Sequence, residues 1–133
     1  MHWNQTRVLV TGAGGFIGSH LVEMLAAGGA EIRAFVRYNS RADEGCLRFL
    51  APELRQRVRV EMGDLRDPDA VLRAMDGCEV VFHLGALIAI PYSYRNPREV
   101  IETNVLGTLN VLEAARKIKP KRVVHTSTSE VYG

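Results

Sequence analysis

Residues 7–18 read Arg7-Val8-Leu9-Val10-Thr11-Gly12-Ala13-Gly14-Gly15-Phe16-Ile17-Gly18. The β-branched apolar run predicts a buried strand, and the glycine cluster that ends it predicts a tight turn. Apolar residues then recur at helical spacing as far as Ala26, and Gly28-Gly29 follows as a stop signal. We therefore predict a strand, a glycine turn and a helix from about residue 15 to residue 27.

The rest of the chain alternates between strand and helix signals. Further strands are predicted at 31–36, 57–62, 80–84 and 122–126, and helices at 67–75, at 96–117 and, within the polar segment 38–55, near 47–50. Strands that alternate with helices pair in parallel through right-handed crossovers. The expected fold is therefore α/β, a Rossmann-type doubly wound parallel sheet with strand order 3-2-1-4-5 that ends after the fifth strand. Ligands should bind at the carboxyl ends of its strands, beside the glycine turn.

The glycines of the turn follow the spacing G-x-x-G-x-x-G rather than G-x-G-x-x-G. Glycine permits a sharp turn and a close approach of the backbone to a pyrophosphate, whose charge is stabilised by free amides and the helix N-terminus. A glycine-rich turn without a ligand is the alternative, but its place between a buried strand and an amphipathic helix favours a dinucleotide, NAD or NADP. The predicted cofactor-binding residues of this turn are Gly12, Gly14, Gly15, Phe16, Ile17 and Gly18.

The end of the second predicted strand lacks the acidic residue that often holds the adenosine ribose. Val36-Arg37-Tyr38 stands there instead, and a guanidinium suits a ribose 2′-phosphate. Arg37 therefore favours NADP, with a solvated arginine at a strand end as the alternative. Asp64 and Leu65 follow the third strand, where they are placed to flank the adenine. For Asp64, a simple turn residue is an equal alternative.

Composition is that of an ordinary globular domain, with 47% hydrophobic and 24% charged residues among 133. The net charge of +2 comes from mixed signs along the chain, so no nucleic-acid or membrane partner is expected. No apolar run reaches the roughly 18 residues of a bilayer span, and residues 1–5 do not resemble a signal peptide, which indicates a cytoplasmic protein. Cys46 and Cys78 lack metal spacing and are interpreted as small apolar side chains, and His83 and His125 as hydrogen-bonded core residues.

Four further motifs follow the glycine turn in order. They are Gly63-Asp64-Leu65-Arg66-Asp67, His83-Leu84-Gly85-Ala86, Asn104-Val105-Leu106-Gly107-Thr108 and Ser127-Thr128-Ser129-Glu130-Val131-Tyr132-Gly133. Over essentially its whole length the chain thereby resembles the extended short-chain dehydrogenase/reductases, the NAD-dependent epimerase/dehydratase family. The last motif is similar to the nucleotide-sugar dehydratases and UDP-glucuronate decarboxylases. The segment Ala86-Leu87-Ile88-Ala89-Ile90-Pro91-Tyr92-Ser93-Tyr94 further resembles UDP-N-acetylglucosamine 4,6-dehydratases.

The resemblance implies an NAD- or NADP-dependent 4,6-dehydratase that acts on a nucleotide sugar. Hydride passes from C4 of the sugar to the nicotinamide, a base then removes the acidified C5 proton, water leaves from C6, and hydride returns to C6. Glu130 matches the implied C5 base, with a solvated loop carboxylate as the alternative, and Thr128 matches the residue that hydrogen-bonds the C4 oxygen. Ser129 replaces an aspartate that in some members protonates the leaving hydroxyl, and a serine is not a strong acid.

The resemblance also implies cofactor contacts outside the glycine turn. They involve Leu84, Gly85, Ala86, Asn104 and Thr126. Gly85 replaces an alanine common in the family, which is expected to widen the space beside the cofactor. Family members usually dimerise through a helix bundle, so the parent enzyme is expected to be a homodimer.

The family's Tyr-x-x-x-Lys pair, in which the lysine lowers the pKa of the tyrosine, is absent from these residues. We therefore expect residues 1–133 to be the NAD(P)-binding Rossmann domain of a longer enzyme, without its sugar-binding part and inactive alone. A UDP-glucuronate decarboxylase or a nucleotide-sugar epimerase is the alternative within this class of enzymes. A non-catalytic dinucleotide-binding module is the alternative outside it.

Overall fold

The computed structural model describes residues 3–132 of the chain. Five parallel strands form one sheet with the order β3-β2-β1-β4-β5, which confirms the predicted topology. The strands are β1 (Arg7–Thr11), β2 (Glu31–Arg37), β3 (Val58–Gly63), β4 (Val80–His83) and β5 (Arg122–His125). The fold is therefore the expected α/β, Rossmann-type sheet, with β1 at its centre.

The helices lie close to their predicted positions with three exceptions. The helices are α1 (Phe16–Ala27), α2 (Pro52–Arg55), α3 (Pro68–Met75), α4 (Ile90–Arg95), α5 (Pro97–Ile101) and α6 (Gly107–Ile118), with 3-10 turns at Gly45–Phe49 and Ser129–Tyr132. Two exceptions are α2 and α4, which have no predicted counterpart, since the stretch expected near 47–50 corresponds to the first 3-10 turn. The third is the helix expected at 96–117, which a π-helical turn at Glu102–Leu106 divides into α5 and α6.

Apolar side chains cover both faces of the sheet. Because neighbouring strand residues point to opposite faces, Val8 and Val10 join the cluster beneath α1, and Leu9 joins the cluster beneath α3 and α6. All three side chains are fully buried. The two clusters fix β1 from both sides, so the glycine turn that follows it starts from a rigid position.

The cysteines are free thiols in different surroundings. Cys78 is buried, as the sequence analysis expects, and burial raises the pKa of its thiol, whereas Cys46 is only half-buried. No helix among residues 3–132 combines the length and the apolarity that a bilayer crossing needs.

Candidate functional site at the carboxyl edge of the sheet

The glycine turn joins β1 to α1 at the centre of the carboxyl edge. Gly12 has a φ of 68°, and a Cβ atom on it would lie 2.8 Å from the amide nitrogen of Gly85. A Cβ atom on Gly18 would lie 2.1 Å from the carbonyl oxygen of Gly12. The packing of the turn against the loop after β4 and against α1 therefore requires glycine at both positions.

Gly15 differs from these glycines because its Cβ position is open. The nearest atom, the Gly12 carbonyl oxygen, would lie 3.4 Å away, which is an ordinary contact, and Gly15 is exposed. It is the N-cap of α1, and the amides of Phe16, Ile17 and Gly18 follow in the first turn, where backbone donors lack partners within the helix. No acidic side chain stands in that turn. An anionic group such as a pyrophosphate fits this helix end.

Gly14 lies on the other side of the turn, against the loop that follows β2. The Cys46 amide donates to the Gly14 carbonyl at 2.8 Å, and a Cβ atom on Gly14 would lie 2.9 Å from the carbonyl oxygen of Glu44. Arg55 holds this loop by donating to both carboxylate oxygens of Glu44, at 2.9 and 3.0 Å. Gly14 thus allows the loop to close against the turn, and its contact with a cofactor stays a prediction.

Thr11, the last residue of β1, links the ends of two strands through its hydroxyl. The oxygen lies 2.7 Å from Nδ1 of His83 and accepts from the amides of Leu84 and Gly85 at 3.2 and 3.0 Å. A hydroxyl has one proton and two lone pairs, so its proton is donated to Nδ1. The ring proton of His83 then lies on Nε2, which donates to the Thr108 hydroxyl at 3.0 Å.

This network holds His83 in its neutral form. The residue is 3% exposed, and burial together with the nearby His125 lowers its pKa to about 4. His83 is thus the hydrogen-bonded core residue that the sequence predicts. The same expectation for His125 is wrong, because β5 pairs with β4 alone among the described strands and leaves His125 exposed. Its ring stacks on that of His83 with 5.3 Å between centroids.

Two asparagines on the segment from the π-helical turn to α6 hold the neighbouring loops. Asn104 accepts from the amide of Leu87 at 2.8 Å and donates to its carbonyl at 2.9 Å. Asn110 donates to the carbonyl of Leu65 at 2.8 Å. The carboxamide of Asn104 therefore positions the loop after β4, and a direct contact with a cofactor stays a prediction.

Leu65 packs between the loop that follows β4 and the start of α6, where a Cβ atom on Gly107 would lie 3.0 Å from the Cβ of Leu65. It is 8% exposed, and a Cβ atom on Gly85 would lie 2.7 Å from its Cδ1. Gly85 thus makes room for Leu65, and its expected effect on the space beside a cofactor stays a prediction. In the same loop Leu84 is half-buried and Ala86 is exposed.

The carboxylate of Asp64 is engaged by its neighbour Arg66. It accepts from the backbone amide of Arg66 at 2.9 Å and from the guanidinium at 2.6 Å. These bonds hold the pKa of the Asp64 carboxyl below its ordinary value. A contact of Asp64 with the adenine stays a prediction.

Arg37 ends β2 with its side chain 59% exposed. Its guanidinium donates to Oε1 of Glu99 at 2.6 Å, and the Tyr92 hydroxyl donates to Oε2. Tyr92 and Arg37, in that order, hold the pKa of the Glu99 carboxyl below its ordinary value. The end of β2 is thereby joined to α4 and α5 across the carboxyl edge.

The candidate catalytic residues lie after β5, at the same edge of the sheet. The Thr126 amide donates to the carbonyl of His83 at 3.2 Å, which extends the pairing of β5 with β4. The Thr128 hydroxyl oxygen accepts from the Glu130 amide at 3.2 Å. Thr128, Ser129 and Glu130 are all exposed. Their assignment to catalysis stays a prediction.

Sequence reasoning missed three site residues: Thr11, Glu99 and Thr108. Their partners are distant in the sequence: His83 lies 72 residues from Thr11 and 25 from Thr108. Arg37 lies 62 residues from Glu99, so no local signal points to any of these contacts. Among residues 3–132 no group of three or more histidine, cysteine or carboxylate side chains is arranged to hold a metal ion.

The profile of a family described as GDP-mannose 4,6 dehydratase matches residues 9–133. Sterol demethylase protein B of Methylococcus capsulatus is 38% identical over 125 residues, which are 94% of this chain and 35% of that protein. UDP-N-acetyl-alpha-D-glucosaminuronate decarboxylase of Bacillus cytotoxicus is 37% identical over 130 residues, which are 96% of this chain and 38% of that protein.

A solved structure shares the fold over nearly the whole chain. It is UDP-N-acetylglucosamine 4-epimerase from Methanobrevibacter ruminantium M1 in complex with UDP-N-acetylmuramic acid, with a TM-score of 0.83 and 29% identity. The match covers 98% of this chain and 40% of that one. The chain therefore spans between 35% and 40% of the length of these three relatives.

Proposed function

Because the chain belongs to the GDP-mannose 4,6 dehydratase family, we propose that it is the cofactor-binding portion of a nucleotide-sugar 4,6-dehydratase. One observation carries the proposal. The open face of the glycine turn at Gly15 lies on the same edge of the sheet as Thr128 and Glu130. A dinucleotide and a sugar would meet at this edge, as ligands do in doubly wound sheets.

The cofactor of this proposal is NAD or NADP. The first-turn amides of α1 would donate to its pyrophosphate, and Gly15 leaves the approach to them open. A nicotinamide bound there supplies a hydride acceptor for C4 of the sugar and a hydride donor for C6. Thr11 and Asn104 would keep the loop after β4 in place beside it.

The segment after β5 would act on the sugar. The hydroxyl of Thr128 would donate to the oxygen on C4, and the carboxylate of Glu130 would take the proton from C5 as a general base. Their exposure supports this role, because both side chains are accessible to a substrate. Ser129 would leave the protonation of the departing C6 hydroxyl to another group.

A decarboxylase or a 4-epimerase of nucleotide sugars is the second candidate. It is favoured by the names of two relatives, one a UDP-N-acetyl-alpha-D-glucosaminuronate decarboxylase and the other a UDP-N-acetylglucosamine 4-epimerase. Product analysis with the parent enzyme separates the candidates. A 4-keto-6-deoxy sugar supports the dehydratase, and release of carbon dioxide or inversion at C4 contradicts it. Dinucleotide binding without turnover of any nucleotide sugar would identify a non-catalytic module.

We also propose that the parent enzyme is a homodimer. An apolar stripe of Ile101, Val105, Leu109 and Leu112 follows helical spacing, and each side chain is at least 51% exposed. A stripe of this kind favours burial against another apolar face. Sedimentation equilibrium of the parent enzyme tests this proposal, and a monomer at micromolar concentration would contradict it.

Cofactor binding is tested by Gly15→Leu in the chain of residues 1–133. The dihedral angles of Gly15, φ −75° and ψ 174°, suit any residue, so the fold tolerates the change while the side chain obstructs the approach to the amides. We expect the affinity for NADH and NADPH, measured by calorimetry, to fall by about tenfold or more, the equivalent of one good charged hydrogen bond. Ala27→Leu adds a similar bulk at the exposed far end of α1 and should change neither affinity. Unchanged binding by Gly15→Leu would overturn the proposal.

A further inference from the structure

The carboxylate of Glu99 is held from two directions at the end of β2. Arg37 donates to one of its oxygens at 2.6 Å and the Tyr92 hydroxyl donates to the other. The Glu99 side chain is 20% exposed, whereas that of Arg37 is 59% exposed. Glu99 is therefore the more enclosed and more fixed member of the pair.

Arg37 is the last residue of β2, which pairs with β1, the strand that leads into the glycine turn. The residue before it, Val36, reaches the turn, since a Cβ atom on Gly14 would lie 3.3 Å from the Val36 side chain. In sheets of this type the end of the second strand faces the adenosine ribose, where an acid binds the 2′-hydroxyl and an arginine accommodates a 2′-phosphate. The sequence alone predicts the second case from Arg37.

The ion pair with Glu99 changes this prediction. A 2′-phosphate carries about −1.5 to −2 charges near neutral pH, as other phosphate monoesters do, and would lie close to a carboxylate whose charge is already balanced by Arg37. A 2′-hydroxyl is uncharged and can accept from the exposed donors of Arg37 without displacing Glu99. The pair therefore favours the hydroxyl over the phosphate.

The neighbouring guanidiniums do not restore an excess of positive charge. Arg66 pairs with Asp64 at 2.6 Å and lies 3.7 Å from Glu102, which Arg98 approaches to 3.8 Å. Arg37, Arg66 and Arg98 are thus paired with three carboxylates at this edge, those of Glu99, Asp64 and Glu102. A 2′-phosphate would have to compete with one of these carboxylates for its arginine.

We propose that Glu99 is a specificity-determining residue that neutralises Arg37 and thereby favours NAD over NADP. The inference rests on the proposed function, because it concerns the same dinucleotide site. It reverses the preference expected from Arg37 alone. Tyr92 is the positioning residue that keeps the second oxygen of Glu99 in place.

The test compares NADH and NADPH binding to the chain and to Glu99→Gln by calorimetry at low ionic strength. Removal of one carboxylate charge beside the 2′ position is expected to raise the affinity for NADPH by about tenfold and to change that for NADH by less than about twofold. The gain should disappear in Arg37→Ala/Glu99→Gln, because the freed guanidinium causes it. Glu113→Gln, which removes a carboxylate paired with Arg116 on α6, is the matched control and should alter neither affinity.

The outcomes separate this inference from the function on which it rests. Equal changes for both cofactors, or no change, in Glu99→Gln would overturn the role of Glu99 while leaving dinucleotide binding intact. Failure of the unmodified chain to bind either cofactor would overturn the proposed function itself. If Glu99→Gln does not fold, Tyr92→Phe provides the test, since loss of its hydrogen bond frees Glu99 to move and should raise NADPH affinity by about two- to threefold. A Tyr92→Phe chain with an unchanged affinity ratio would overturn the inference.

Discussion

The ends of β1 and β5 both belong to the proposed site, but they are built differently. β1 has strands on both sides, and Thr11 at its end is 1% exposed. β5 pairs with β4 alone among the described strands, and every residue from 126 to 132 is exposed. At β1 the proposed functional groups are backbone amides, and the packing of the turn determines their positions. At β5 they are side chains in an exposed turn, in which Thr128 accepts from the amides of Glu130 and Val131.

Substitutions at the two strand ends should therefore affect different properties, the stability of the fold at β1 and the proposed reaction at β5. A change at Gly12 or Gly18 alters the packing of the glycine turn and the proposed cofactor site together. A change after β5 removes a reactive group and leaves the packing of the described residues as it was. The following predictions test this separation.

The largest effect is expected from Glu130→Gln in the parent enzyme. Loss of a general base typically lowers the rate of the step it serves by about 10² to 10⁴-fold, so release of the 4-keto-6-deoxy product should fall by about a thousandfold. Transient reduction of bound cofactor should persist, because hydride transfer from C4 precedes proton removal from C5. Stopped-flow absorbance of the reduced nicotinamide and solvent deuterium exchange at C5 measure the two steps. Normal turnover would show that another group is the base.

Gly18→Ala is expected to destabilise the chain most strongly. Its Cβ atom would lie 2.1 Å from a backbone oxygen, so helix and turn must separate, at a cost of about 3 kcal/mol or more in the free energy of unfolding. Gly15→Ala, where the same atom meets only an ordinary contact at 3.4 Å, should change it by less than about 0.5 kcal/mol. Urea unfolding measures both variants. Equal losses would contradict the distinction between a packed and an open glycine.

The stability of the chain should fall as the pH drops from about 6.5 to about 4. The pKa of His83 is lowered from 6.5 to about 4, so in this range the unfolded chain binds a proton that the folded chain does not. The full contribution is present above pH 6.5, and its loss reaches up to about 3 kcal/mol near pH 4. Urea unfolding across this range should show the slope in the unmodified chain and in His20→Gln, whose ring is exposed. The same slope in His83→Gln would refute its assignment to His83.

The smallest effect is expected from Glu130→Gln on the stability of the chain of residues 1–133. The side chain is exposed, and surface changes of this kind alter the free energy of unfolding by less than about 0.5 kcal/mol. A larger loss, measured by urea unfolding, would mean that the end of β5 contributes to packing as the end of β1 does.

Local signals were sufficient to predict the fold. The apolar run before Gly12, and the N-cap residues Asp67 and Asn96 that are each followed by proline, are patterns of neighbouring residues. The strand order follows from the alternation of strands and helices that such patterns predict. Local signals could not predict contacts between distant residues. Arg37 finds its carboxylate 62 positions away, and the apolar composition of β5 does not reveal that it lies at an edge.

The apolar spacing of residues 96–117 also could not predict the π-helical turn within this segment. That spacing continues through Asn104, but the residue lies in a π-helical turn and bonds to the backbone of Leu87. Such a change in helical winding depends on the loop that the side chain must reach, which lies outside the helix. The tertiary contact therefore overrides the regular period.

The hydroxyl of Thr11 has a consequence for motion. The amides of Leu84 and Gly85 belong to a loop, yet both donate to this nearly fully buried oxygen. We expect these two protons to exchange with solvent as slowly as those of the adjoining strands. A loop ordered in this way before a ligand arrives loses little conformational entropy on binding, so more of the contact energy remains as affinity.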